Sequence, residues 1–245
     1  LAELEKKTRF MKALMELREL VMSGALEPGQ RLSEVAVSQQ LGISRTPLRE
    51  AMARLVEEGF LERIPTGGCR VRQVTVADVV DSIEVRGTIE GMAVRLAAER
   101  GAAPGALRVC HDLVDRIDEA LGASEAETDF EAYADLNAAF HEALGALAGS
   151  ETVRREHARV SQLPLAGPSA FLQGQIAVPE IRRSLFVAQR QHRALIEAIE
   201  AREGTRAEAL AREHARLARA NLDYLMQRDP DEAGAVPGLA MVSAG

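Results

Sequence analysis

Tryptophan is absent from the 245 residues, and two Tyr and six Phe make up the aromatic content. A core with so little aromatic volume must be built from Leu, Val, Ile and Ala, which fits packed helices. Cysteine is scarce as well. Cys69 and Cys110 are too few for a disulfide framework and point to a reducing compartment. No stretch reaches the roughly 18 apolar residues of a membrane span. The opening LAELEKKTRF is charged and lacks the apolar segment of a signal peptide, and the missing initiator Met suggests that preceding residues are lost or processed. The expectation is a soluble, cytoplasmic protein with no membrane partner.

The net charge of −7 hides a division. Residues 1–76 hold 12 Lys and Arg against 10 Asp and Glu, whereas the remainder holds 18 against 27. A weakly basic head on an acidic body suits a module that meets a polyanion through a few placed arginines rather than through bulk charge.

The head has the word order of a winged helix-turn-helix. A first helical pattern runs through FMKALMELRELVMSGAL and stops at Gly24, and EPGQ follows as a turn. Ser33 is placed to cap a short second helix, EVAVSQQL, ending at Gly42; Ser44 is placed to cap a third. Leu48, Ala51, Met52 and Leu55 of that third helix recur at helical spacing and predict one buried stripe. Arg45, Thr46 and Arg49 fall off the stripe, with the arginines one turn apart. FLERI and CRVRQV then read as two strands around PTGG, a small hairpin with Gly67 and Gly68 at its tip and Arg70 and Arg72 beside it. A recognition helix must bury one face and push its N-terminal residues into the major groove with the other. Arginine suits that task because its guanidinium bonds guanine O6 and N7 together.

Thr75 opens a capping box with Asp78, and everything beyond is helical in period. Six helices are predicted, at about 75–100, 104–122, 127–149, 151–162, 179–203 and 205–228. The expected fold is mainly α: a winged head over 1–74, an antiparallel six-helix bundle over 75–229, and a mobile tail over 230–245.

Within the bundle, three of the five histidines lie on apolar stripes. His141 shares a face with Tyr133, Phe140 and Leu144; His192 lies among Leu185, Ala188, Leu195 and Ile196; His214 falls between Leu210 and Leu217. His192 and His214 each stand 11 residues from Glu203 in the connection AREGT. On antiparallel helices this equal spacing sets both imidazoles at one height. Asn137, four residues before His141, projects about 40° away around the same helix. One Asn and three His are thus expected to converge inside the bundle, where facing imidazoles suit a divalent transition metal (Zn, Ni, Cu or Fe, with Zn or Ni preferred) and leave positions open for a ligand. Arg86 lies on the stripe with Val79, Ile83 and Ala93, with Glu90 one turn on. It is read either as the clamp for a carboxylate whose other end reaches the metal or as half of a structural pair. His111 and His157 are read as structural or surface groups.

SGALEPGQRLSEVAVSQQLGISRTPLREAMARLVEEGFLERIPTGGCRV resembles the DNA-binding domain of the GntR family of bacterial transcription regulators over about 50 residues. The resemblance implies contacts to bases or phosphates from Arg45, Thr46 and Arg49, and wing glycines in the minor groove. Where relatives often carry a polar residue, this chain has Val35. VDSIEVRGTIEGMAVRLAAERG, LNAAFHEALGALAGS and QHRALIEAIEAREGTRAEALAREHARL resemble the FCD effector domain of the FadR subfamily, and six helices favour its VanR-like branch. That resemblance implies a metal on Asn137, His141, His192 and His214, with Asn standing where Asp is commoner. It also implies a small carboxylate effector. Together these predict a homodimeric regulator that reads palindromic double-stranded operator DNA. The rival is a metal-dependent hydrolase with an accessory DNA-binding head, although no Asp or Glu is evident beside the ligands to activate water.

Overall fold

The computed structural model describes residues 2–170, 178–227 and 238–243. The chain divides into two compact units, Leu1–Val79 with Pro237–Gly245, and Val80–Val236.

In the first unit, α1 (Ala2–Met22), α2 (Glu34–Leu41) and α3 (Arg45–Glu57) surround a small sheet. α1 buries Ala13, Leu14, Leu17 and Val21, a helical stripe that packs on α3. α3 answers with Leu48, Ala51, Met52 and Leu55, all buried as their spacing predicts. Ser33 caps α2 by accepting a hydrogen bond from the Ala36 amide, and α2 stops at Gly42 in the left-handed conformation. Ser44 holds the N-cap position of α3 without making the side-chain bond expected of it.

β2 (Leu61–Arg63) and β3 (Cys69–Val71) form the predicted wing, antiparallel with Leu61 opposite Val71. A strand absent from the sequence reading, β1 (Arg31–Leu32), joins the other edge of β3. Two residues carry too short an alternation to announce a strand, so the pairing is dictated by β3.

Residues 238–243 of the expected tail have described structure. Gly238 donates its amide to the Met22 carbonyl at 2.8 Å, Leu239–Met241 makes a 3₁₀ turn, and β5 (Val242–Ser243) pairs in parallel with β4 (Val74–Thr75). Leu239 and Met241 are buried, so apolar burial and strand pairing order a segment without sequence period. The rest of the predicted mobile tail lies outside the described residues.

The bundle follows from α4 (Val76–Arg100), whose start carries the predicted capping box: the Asp78 amide donates to Thr75 Oγ1 and the Thr75 amide to the Asp78 carboxylate. Then come α5 (Pro104–Leu121), α6 (Phe130–Ala146), α7 (Glu151–Ser161), α8 (Pro179–Glu200) and α9 (Gly204–Met226). α6 starts three residues later than expected because Asp129 caps it, accepting from the Ala132 amide. The core is aliphatic, with Val114, Ile117, Leu144, Ile181 and Leu195 around Phe140. Gly87 lets α4 and α9 touch: a Cβ there would stand 2.7 Å from the Ala215 methyl. That close approach brings Arg86 and Glu90 toward His214. No described helix is long and apolar enough to cross a membrane.

Candidate DNA-reading face and candidate metal centre

α3 buries one face and leaves Arg45, Thr46 and Arg49 exposed on another. Both arginines meet one carboxylate. Arg49 Nε donates to Glu34 Oε2 at 2.6 Å, and Arg45 Nη2 reaches the same oxygen at 3.4 Å. The Arg49 hydrogen bond holds the Glu34 carboxyl below its ordinary range. At the wing tip, Gly67 and Gly68 have φ of 92° and 90°, a region in which a side chain is strained. Arg31 Nη2 steadies the tip by donating to the Gly67 carbonyl at 3.1 Å. Arg70 is exposed and paired with Glu62 at 2.5 Å; Arg72 is paired with Asp78 at 3.2 Å.

In the bundle, three imidazoles converge from three helices. His141 on α6, His192 on α8 and His214 on α9 are buried, and their ligand nitrogens all lie within 4.8 Å of one another. His214 Nε2 stands 3.2 Å from His141 Nε2 and 3.2 Å from His192 Nε2. The opposite nitrogen of each ring faces an oxygen: Nδ1 of His141 meets Glu90 Oε1 at 2.9 Å, that of His192 meets Gln189 Oε1 at 3.1 Å, and that of His214 meets Gln191 Oε1 at 2.9 Å. Gln189 is held in that sense because its Nε2 donates to the Val114 carbonyl and to Asp118.

Oxygens accept, so each Nδ1 must carry the ring's hydrogen, and a neutral ring has only one. Three bare Nε2 lone pairs then face one another. Protonation offers no relief. Burial pushes all three imidazoles below their ordinary value, His214 to about 3, and the neighbouring imidazoles add to this at His192 and His214. A cation resolves the conflict. Zinc–nitrogen bonds of about 2.0–2.1 Å set two nitrogens on one ion about 3 Å apart, close to what is found.

Asn137 Nδ2 donates to the Pro168 carbonyl and Ser169 Oγ, which leaves the buried Oδ1 without a hydrogen-bond partner. A buried carbonyl oxygen left bare is costly, and a metal is one group that satisfies it. Asn137 lines a cavity of about 40 Å³ together with Arg86, Tyr133, Ser184, His214 and Asn221. The donor set therefore fits a transition metal with imidazole preference.

Both readings of Arg86 have a basis here. Its Nη1 lies 3.2 Å from each Glu90 oxygen, which is the structural pair, while its buried Nε has no partner and the residue lines the cavity. Glu90 is the hub that sequence reasoning undervalued. Its Oε1 meets Arg86, His141 and also His157 Nε2 at 3.1 Å. Burial would raise the Glu90 carboxyl, but Arg86 and His141 outweigh burial and hold it well below the usual range. His157 is a buried structural group, brought there because α7 packs on Gly145, where a Cβ would lie 2.4 Å from the ring. Gln189 and Gln191 were missed. Gln189 is three residues before His192 on one helix, a findable signal; Gln191 reaches His214 from another helix, which leaves no sequence trace. His111 is an exposed partner of Glu200.

The chain is similar to known proteins in both of its parts. Residues 12–71 match the bacterial regulatory proteins of the gntR family, and residues 81–217 match the FCD domain. An uncharacterised HTH-type transcriptional regulator of Agrobacterium vitis is 33% identical over 140 residues, covering 57% of this chain and 81% of that protein. The HTH-type transcriptional repressor GlaR of Escherichia coli is 29% identical over 202 residues, covering 81% and 88% respectively. Further curated relatives are spanned over about half of their length. The solved structure of E. coli McbR/YncC shares the fold at a TM-score of 0.61, with 22% identity, 89% of this chain covered and 97% of that one. The A. vitis relative and GlaR are both named as transcription regulators. The hydrolase alternative gains nothing from the site either, since the Glu90 carboxylate beside His141 is engaged by Arg86, His141 and His157.

Proposed function

Because the chain belongs to the GntR family of bacterial regulatory proteins and carries an FCD domain, we propose that its hold on operator DNA is set by a small organic acid. That acid binds beside a metal in the helical bundle. DNA-binding transcription regulation is common to the family; the effector, the metal and the residues that serve them are the proposal. In this reading residues 1–74 are the head and residues 75–229 sense the effector and pair two chains. Two heads of a homodimer then read the halves of a palindrome. Six bundle helices among the described residues support the VanR-like branch.

In the head, Arg45 and Arg49 are assigned to base edges, Thr46 to a phosphate or a thymine methyl, and Gly67, Gly68 and Arg70 to the adjacent groove and backbone. In the bundle, Asn137, His141, His192 and His214 would hold the ion, Zn or Ni. When bound, it supplies a Lewis-acidic centre that draws a carboxylate oxygen. Arg86 Nε faces the other part of the same ligand. The observation that carries the reading is the set of three bare Nε2 atoms beside a cavity lined by Arg86, whose Nε has no partner, and by Asn137, whose amide oxygen has none.

A 40 Å³ cavity has room for about three waters. An acid of several carbons must therefore part its walls, which α4, α6, α8 and α9 supply. α4 begins at Val76, directly after β4, so a shift of this helix is one route from bundle to head. Operator and effector then change each other's affinity by the same factor.

The test is metal analysis of purified protein together with thermal shifts for a panel of small carboxylates, on metal-loaded and stripped samples. A shift in the loaded protein that shrinks on stripping is expected. Equal shifts in both would detach the ligand from the metal. A protein that takes up no transition metal would end the reading of the centre.

A further inference from the structure

The recognition helix is not free to offer its two arginines as it pleases. We propose that Glu34 is a positioning residue for sequence readout: it aims Arg49 and Arg45 at bases and withholds part of their charge from phosphates. This rests on the reading of α3 as the helix that enters the groove.

Glu34 opens α2, where its carboxylate also suits the helix N-terminus, yet its side chain spends its Oε2 on α3. Arg45 and Arg49 are four residues apart on one helix, a spacing at which like charges repel. A single carboxylate shared by both removes that repulsion and draws the side chains toward one place. The atoms matter. Glu34 takes Arg49 by Nε at 2.6 Å, and neither Arg49 Nη is given to Glu34. The two terminal nitrogens are the fork that meets guanine O6 and N7 end-on.

The charge matters equally. Two arginines with one carboxylate present a net single positive charge, where an unpaired fork would present two. Non-specific affinity grows with each phosphate neutralised, and the salt slope steepens by about 0.9 for each. Glu34 therefore lowers affinity for arbitrary sequence more than for a site whose bases engage the fork. The next position on α2, Val35, is 51% exposed and adds no cation that could take over either task.

The experiment uses the full-length protein, a random-sequence 30-base-pair duplex, and the best duplex selected from a random library by the wild-type protein. Affinity is followed against KCl concentration for wild type, Glu34→Gln and Glu57→Gln. Glu57 pairs with Arg54 near the far end of α3 and controls for bulk charge. Glu34→Gln is expected to bind the random duplex several-fold tighter, with a salt slope steeper by about one. Its preference for the selected duplex should fall about tenfold, while Glu57→Gln keeps the wild-type preference. In an Arg49→Ala background the Glu34→Gln effect on preference should shrink. Equal behaviour of Glu34→Gln and wild type overturns the proposal, as does an equal loss of preference in Glu57→Gln. A wild-type protein that binds no duplex at low salt overturns the reading of α3 beneath it as well.

Discussion

The head and the bundle both pair arginine with glutamate, and the pairs are of different kinds. In the head, Arg49 and Glu34 are 59% and 28% exposed at the side chain, so water screens them and the pair contributes little to stability. In the bundle, Arg86 and Glu90 are 2% and 1% exposed, and buried histidine rings stand beside them. Exposed charge is suited to a reversible meeting with a polymer. Buried charge holds an arrangement that only a ligand of matching charge and shape can alter. The same two residue types thus form a screened pair in one unit and a desolvated pair in the other.

The largest break in that comparison comes from Glu90. Glu90→Gln leaves the Arg86 guanidinium buried without its counter-ion, and stability should fall by about 3–5 kcal/mol. Glu34→Gln, at the exposed pair, should change it by less than about 1 kcal/mol. Urea unfolding midpoints measured on both variants check this. Similar losses would mean that burial does not separate the two pairs.

Metal is the next largest effect. At a hundredfold excess over Kd, a bound ion stabilises by about 3 kcal/mol. Chelation should therefore lower the melting temperature of wild type but not of His214→Ala. Stoichiometric metal should be present in Arg45→Ala and lost in His141→Ala, His192→Ala and His214→Ala. Metal retained by any of the histidine variants would remove that ring from the donor set.

Much of this was legible in the residues. The histidine heights followed from a symmetrical spacing about Glu203 and from helices long enough to keep their rise constant; the capping box at Thr75 and Asp78 is local chemistry. What escaped has one physical character: it depends on partners from elsewhere in the chain. β1 and β5 are two residues each and take their conformation from β3 and β4. Glu90 was seen as a neighbour of Arg86, one turn away, but His157 reaches it only because α7 closes on Gly145. Ser44 stood where a cap was expected, but its hydroxyl does not supply the bond. The cavity, too, belongs to packing: no single helix encloses it.

A smaller effect separates the units by pH. His214, with its folded value lowered to about 3, takes up fewer protons folded than unfolded between about pH 6.5 and 3. His192 and His141 act in the same direction. Stability contributed by these neutral rings is present above pH 6.5 and is lost as pH falls toward 3. Glu34, with its carboxyl lowered by Arg49, loses its contribution only below its ordinary value near 4.5. On acidification of metal-free protein, probes in the bundle should therefore report loosening at higher pH than probes in the head. Replacing His214 by Ala should flatten the bundle profile between pH 6.5 and 3. Coincident profiles in wild type and variant would show that this ring is not the group responsible.

The least disturbance to the fold is expected at Arg45, and it sharpens the comparison most. Its side chain is 56% exposed and it pairs among the described residues with Glu34 at 3.4 Å, so truncation removes little burial and leaves Glu34 paired with Arg49. Arg45→Ala should leave the unfolding midpoint within about 0.5 kcal/mol of wild type. Its effect belongs to the complex: discrimination at one operator position should fall by about 1–3 kcal/mol, with other positions unchanged. Selection of duplexes from a random library by both proteins reads this directly. A uniform loss across all positions would make Arg45 a phosphate contact. A loss of stability would instead show that the exposed fork is part of the fold, and the contrast between exchangeable surface charge and fixed interior charge would fail at its exposed end.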